Sequence, residues 1–155
     1  MREILFRGKR IDNGEWVEGF LLKECNYATC SWNLAIEYKT DRFGKFAYDV
    51  AEVVTETIGQ FTGLTDKNGK KIFDGDILPI EDEIVAVVIF QDGCYRLEEY
   101  GLRGTWTESG FDECGGGWGF IECEPIDWYT IGAMEVIGNI HDNPELSGGC
   151  RRWQN

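Results

Sequence analysis

Short runs of alternating apolar and polar residues, separated by Gly, Asn and Asp, run through most of this chain. Such alternation places successive side chains on opposite faces of a strand, and Gly, Asn and Asp supply the turns between strands. Residues 2–9 alternate, with Ile4 and Phe6 on one side and Glu3, Leu5 and Arg7 on the other. Asp12-Asn13-Gly14 follows, then an apolar run from 16 to 22, which together predict a hairpin closed by a type I′ Asn-Gly turn. Residues 25–36, rich in Tyr, Thr, Cys and Trp, suit another short strand, and polar residues 39–45 read as a loop. Residues 46–61 carry Val50, Val53, Val54 and Ile58 at spacings that fit a helical face, but their β-branching favours strands. An extended segment with a short helical turn is expected there, which leaves an α+β chain open.

The strand pattern strengthens after Lys70. Gly75-Asp76 introduces residues 77–80, where Pro79 suggests a sheet edge or a strand end. The apolar run 84–90 suits a buried strand, and Asp92-Gly93 turns it into residues 94–100, with Tyr95 and Leu97 on one face. Residues 131–140 read as a last strand, stopped by Asp142-Asn143-Pro144. Short strands at this spacing fit a small closed or half-closed barrel. Residues 101–127, with the run Cys114-Gly115-Gly116-Gly117-Trp118-Gly119-Phe120, read as a long glycine- and tryptophan-rich loop, and residues 147–155 as a flexible tail. The expected fold is mainly β in two parts: an N-terminal β-rich subdomain over 1–61 and a small barrel over 62–146.

Charge narrows the partners. Across 155 residues the chain carries 28 acidic and 15 basic side chains, a net charge of -13. Residues 1–61 account for -2, residues 62–110 for -5 and residues 111–155 for -6. An acidic surface repels phosphate backbones, so direct nucleic-acid binding is not expected. The basic start (Arg2, Arg7, Lys9 and Arg10, near Phe6 and Trp16) is better matched to acids of this chain or a neighbour. No apolar run approaches the roughly 20 residues that span a bilayer, so no membrane role is expected. The six cysteines lack zinc-site spacing, and the first residues lack the apolar stretch of a secretory leader. Reduced, mostly buried thiols in a cytoplasm are the expectation.

Candidate chemistry is sparse. His141, the single histidine, falls in a turn. Asp66, Asn68 and Lys70 imitate the start of a calcium loop, but Ile77 stands where the bidentate acid belongs. The glycine run lacks the Lys-Ser/Thr of a phosphate loop. The acid pairs Asp74/Asp76 and Glu81/Glu83 flank strands, where carboxylates are mostly solvated. No catalytic residue, metal site or cofactor is expected. The residues singled out for a partner are Trp118 and Phe120, with Trp106, as aromatics presented by the glycine-rich loop. Six tryptophans in so small a chain also predict self-association, since tryptophan is enriched at interfaces.

Three blocks resemble the YopX family of small phage-associated proteins. The first is residues 2–10 with Gly14-Glu15-Trp16-Val17-Glu18-Gly19. The second runs from Thr57-Ile58-Gly59-Gln60-Phe61-Thr62-Gly63-Leu64 through Asp66, Asn68-Gly69 and Ile72-Phe73 to Gly75-Asp76-Ile77. The third is residues 135–146, Glu-Val-Ile-Gly-Asn-Ile-His-Asp-Asn-Pro-Glu-Leu. The glycine- and tryptophan-rich stretch 101–127 and the tail after Leu146 match no block of the family. The resemblance implies a phage or prophage origin, a bacterial cytoplasm and a mainly β protein with an SH3-like barrel part, and it carries over no catalytic residue. The expected role is a non-enzymatic binding or regulatory accessory protein with a phage or host protein partner. The alternatives are an acidic DNA mimic that occupies a host nucleic-acid enzyme, or a small enzyme.

Overall fold

A computed structural model describes residues 3–26, 31–42, 45–81, 84–102, 105–107, 110–112, 118–126 and 131–147. The chain divides into two compact units, Met1–Gly63 and Leu64–Asn155. Both are β-structures, and among the described residues no helix reaches seven residues.

The first unit is an antiparallel meander. Its strands are β1 (Phe6–Lys9), β2 (Trp16–Asn26), β3 (Ser31–Arg42) and β4 (Lys45–Glu52), followed by a 3-10 turn at Thr55–Thr57 and by β5 (Gly59–Thr65), which leaves the unit at its end. Their order in the sheet is β4-β3-β2-β1-β5. The β1–β2 hairpin forms as expected, but its turn is longer than a type I′ turn. Arg10 and Glu15 close it, Gly14 alone takes a positive φ, and Asn13 Oδ1 accepts the Glu15 N–H. The polar residues 39–45, expected to loop, instead extend β3 to Arg42 and begin β4 at Lys45. Lys39 and Asp41 are exposed on the sheet, so their polarity does not mark the end of a strand, and residues 43 and 44 lie outside the described residues.

One face of this sheet is its core. Val17, Ile36, Ala51 and Val53 are buried together, with Phe6, Leu21, Leu34, Tyr38 and Ile58 packed against them. The strands approach so closely that a Cβ on Gly19 would collide with the Glu37 carbonyl oxygen. Thr57 ties the 3-10 turn to β1: its hydroxyl accepts the Lys9 N–H at 2.9 Å and donates to the Val54 carbonyl at 2.7 Å.

The second unit holds β6 (Lys71–Phe73), β7 (Asp76–Glu81), β8 (Ile84–Gln91), β9 (Cys94–Leu102), β10 (Thr105–Thr107), β11 (Gly110–Asp112), β12 (Trp118–Pro125) and β13 (Gly138–Asn139). Its main sheet runs β12-β9-β8-β7-β13, and β10 and β11 form a separate two-stranded hairpin. The β8–β9 hairpin turns at Asp92 and Gly93, with φ of 53° and 82°, as an Asp-Gly type I′ turn requires. Pro79 pairs with Val85 on β8 and lies beyond the part of β7 that β13 covers, so its missing N–H costs no ladder bond there.

Three expectations fail here. The sheet is open, not a closed barrel: it ends at β12 and β13, and no pairing joins them among the described residues. The stretch 131–140 is not a full strand, because only Gly138 and Asn139 pair with β7. Of its buried residues, Ile131 and Val136 fall five apart, which the two-residue period of a single strand would send to opposite faces, yet they join one core. Finally, the stretch read as a loop over 101–127 carries the end of β9 together with β10, β11 and β12. Glycine content concealed strands whose backbone pairing needs no particular side chain.

Candidate functional site

Residues of the second and third sequence blocks meet in the second unit, and what they build there is structural. Asp66 is buried at the start of the hairpin between β5 and β6. Its Oδ1 accepts the N–H groups of Asn68 at 2.8 Å and Lys70 at 2.9 Å, and its Oδ2 accepts that of Val136 at 3.2 Å. Burial pushes this carboxyl up, but the N–H donors of Val136, Lys70 and Asn68, aided by the Lys70 charge, outweigh it and hold the pKa below the ordinary Asp value. Beside it the Lys67 N–H donates to the Met134 carbonyl, and Lys67 Nζ pairs with Glu135 at 2.9 Å. That ammonium lowers the Glu135 pKa.

A second stitch lies at Gly75-Asp76. Asp76 is fully buried, its Oδ2 accepts the Phe73 N–H at 2.8 Å, and the Gly75 carbonyl accepts the Ile140 N–H at 3.0 Å. His141 follows, its N–H donating to Asn139 Oδ1 in a turn that Asn139 also closes through Asp142. Of the acid pairs noted in the sequence, Asp76 is therefore buried in backbone contacts and not solvated. Among the described residues no group of three His, Cys, Asp or Glu side chains is placed to hold a metal ion. Cys94 is free and exposed, and the side chains of the other five cysteines lie outside the described residues.

The loop aromatics lie on strands. Trp118 and Phe120 pair with Leu102 and Tyr100 across β12 and β9, and Trp106 pairs with Phe111 across the β10–β11 hairpin. Their side chains lie outside the described residues.

A row of exposed apolar side chains lies in the first unit, on the sheet face opposite the core. Register places Phe20 beside Glu37 and Glu37 beside Val50, then Lys39 beside Tyr48 and Asp41 beside Phe46. Because strand side chains alternate, all of these project from one face. Phe20 is 51% exposed, Val50 46%, Tyr48 63% and Phe46 79%. Lys39 Nζ lies 3.7 Å from the centroid of the Phe46 ring, a cation–π contact that holds the lysine along the aromatic row. Toward β1 the same face changes character: Arg7 is buried, with its guanidinium 4.9 Å from a Trp16 ring centroid, and Lys9 Nζ lies 5.5 Å from a Trp16 ring centroid.

The sequence carried a readable signal for this face. Phe46, Tyr48 and Val50 alternate with Ala47, Asp49 and Ala51, so the bulky side chains stand on one side and small ones on the other. Reading residues 46–61 as one ambiguous segment hid it.

No curated protein sequence is similar to the chain. A solved structure similar to it is the crystal structure of protein EF1440 from Enterococcus faecalis, 24% identical, with 95% of this chain and 99% of that one covered and a TM-score of 0.46. The model of the family described as YopX protein matches residues 5–147, a span that takes in the first hairpin, the Asp66 and Asp76 stitches and the 138–146 turn, and the chain belongs to the YopX family.

Proposed function

We propose that this chain is a non-enzymatic binding or regulatory accessory protein of a phage or prophage, acting in the bacterial cytoplasm, and that a protein partner docks on the outer face of its first sheet. The supporting observation is the exposed row Phe20, Val50, Tyr48 and Phe46 on paired strands. Contiguous apolar side chains held in register by a sheet, with charged neighbours, have the make-up of a docking surface. Around the row, Glu37 and Asp41 stand against Lys39, and the whole chain carries -13. That balance suits a protein surface of mixed charge and disfavours a nucleic acid.

The test compares immobilised wild type with a Phe20→Ser/Val50→Ser variant as baits in lysate of a bacterium that carries the phage. Neither residue is buried, so the variant should retain the wild-type circular dichroism and unfolding midpoint. A protein retained by the wild type and lost by the variant is the expected result. Equal retention by both baits would remove the docking face from the proposal.

A further inference from the structure

The edge of the first sheet offers a surface separate from its face. β4 is the terminal strand of the sheet order, and no strand lies beyond it among the described residues. In an antiparallel ladder the backbone groups of alternate residues point to the neighbour and away from it. The Val53 N–H donates to the Leu34 carbonyl at 3.1 Å, in register with the β3–β4 pairs, so odd-numbered residues of β4 turn their backbone groups toward β3. Even-numbered residues turn theirs outward. The Glu52 carbonyl agrees, because it accepts the Ile11 N–H at 3.0 Å on the side away from β3, where the chain leaving β1 bridges back to Val53. That bond closes one end of the edge. The open portion is Phe46, Tyr48 and Val50, whose side chains are exposed and apolar.

We propose that this open edge pairs antiparallel with the same edge of a second copy, about a two-fold axis at Tyr48. The occupant follows from self-complementarity. A two-fold axis perpendicular to the sheet keeps like faces on the same side, so outward residues of one copy meet outward residues of the other. Centred on Tyr48, the pairing sets Tyr48 against the partner's Tyr48 and Phe46 against the partner's Val50, and the reverse. Each open N–H then meets an open carbonyl, and aromatic and β-branched side chains stand cross-strand, as sheets favour. Shifting the axis to Asp49 sets two carboxylates directly opposite each other and requires Glu52, whose carbonyl already holds the Ile11 N–H. Shifting it to Ala47 leaves Val50 beyond the strand of the partner. Charge and hydrogen bonding select one register.

The copies repel through a net -13 each, and salt screens that repulsion, so association strengthens with ionic strength. An interface built on ion pairs would weaken. Edge pairing also leaves the outer face uncovered, so this inference and the docking reading can fail separately.

Sedimentation velocity from low micromolar to several hundred micromolar protein should give a monomer–dimer equilibrium that shifts toward dimer as sodium chloride is raised. Tyr48→Pro removes an N–H that the β3–β4 ladder does not use, so it should leave the fold intact while weakening the dimer by about tenfold or more. Directly opposed residues of a hydrogen-bonded pair have Cα atoms about 5.5 Å apart, within disulfide reach. In a Cys94→Ser background, oxidised Tyr48→Cys should therefore cross-link through position 48, identified by peptide mapping, and Asp49→Cys should cross-link poorly. A wild type that stays monomeric at the highest concentration, a dimer indifferent to Tyr48→Pro, or efficient cross-linking at 49 and not at 48 would each overturn the proposal. Should Tyr48→Pro misfold, the cysteine pair still decides it.

Discussion

The two main sheets use their faces differently. In the five-stranded sheet both faces are buried. One carries Leu78, Ala86, Val88, Tyr95 and Leu97, and the other carries Ile77, Val87, Ile89 and Tyr100. That is why β8 reads as the nearly continuous apolar run Ile84-Val85-Ala86-Val87-Val88-Ile89-Phe90. Glu98, on the face of Val87 and Tyr100, is buried as well, and its carboxylate accepts the Tyr100 hydroxyl hydrogen at 2.7 Å. In the first sheet one face forms the core, and across β3 and β4 the opposite face carries large apolar side chains in the open. A sheet whose faces are both committed to the core supports the fold. A sheet with a free face and a free edge has surface left for other molecules.

The largest effect tests how tightly the first sheet is built. Gly19→Ala would drive a Cβ into the Glu37 carbonyl, which is backbone and cannot turn aside. A loss of about 3 kcal/mol or more is expected in urea unfolding. An effect below about 0.5 kcal/mol would mean that β2 and β3 are spaced more loosely than their register implies.

In the second unit, Asp66→Asn should be nearly as costly. It removes the charge from three backbone hydrogen bonds and places an amide N–H against a donor, a loss of about 2–3 kcal/mol. Because the folded-state pKa of Asp66 lies below its unfolded value, the stability it contributes is present above the unfolded Asp pKa. It is lost as pH falls through the depressed folded value. The wild type should therefore lose stability more steeply than Asp66→Asn below about pH 4. Identical acid slopes would show that Asp66 is not held ionised by those donors.

The comparison is sharpest with one residue type on both sheets. Val87 is fully buried on the second sheet, and Val50 is 46% exposed on the first. Val87→Ala should cost about 2 kcal/mol, whereas Val50→Ala should stay within about 0.5 kcal/mol. Equal costs, read by the same unfolding curves, would mean that something covers the outer face and would move the docking surface elsewhere.

Hairpins were legible where the turn and both strands are local. Asp92-Gly93 between alternating runs announced β8 and β9, and the positive φ values there follow from the dipeptide itself. The pattern misled where apolar residues serve contacts distant in sequence. Ile131, Val136 and Ile140 looked like one strand, yet they are distributed over two cores by the Asp66 and Gly75 stitches. Nothing near Asp66 in the chain reveals that Val136 completes its hydrogen bonds, because the donor lies 70 residues away. The outer face was missed for a related reason. Residues 46–50 alternate clearly, but only their pairing with β3, and that of β3 with β2, brings Phe20 into the same row.

By itself the sequence determined the β class, the tight turns and the family to which the chain belongs, because alternation, turn chemistry and the ordered blocks are properties of neighbouring residues. Tertiary structure decided that the second sheet stays open, that Asp66 and Asp76 of the shared blocks accept backbone N–H groups, and which aromatic residues stand in the open on the first sheet. These depend on which strands become neighbours and which faces receive a core. Burial and register are settled by contacts between residues far apart in the chain, and a local pattern does not contain them.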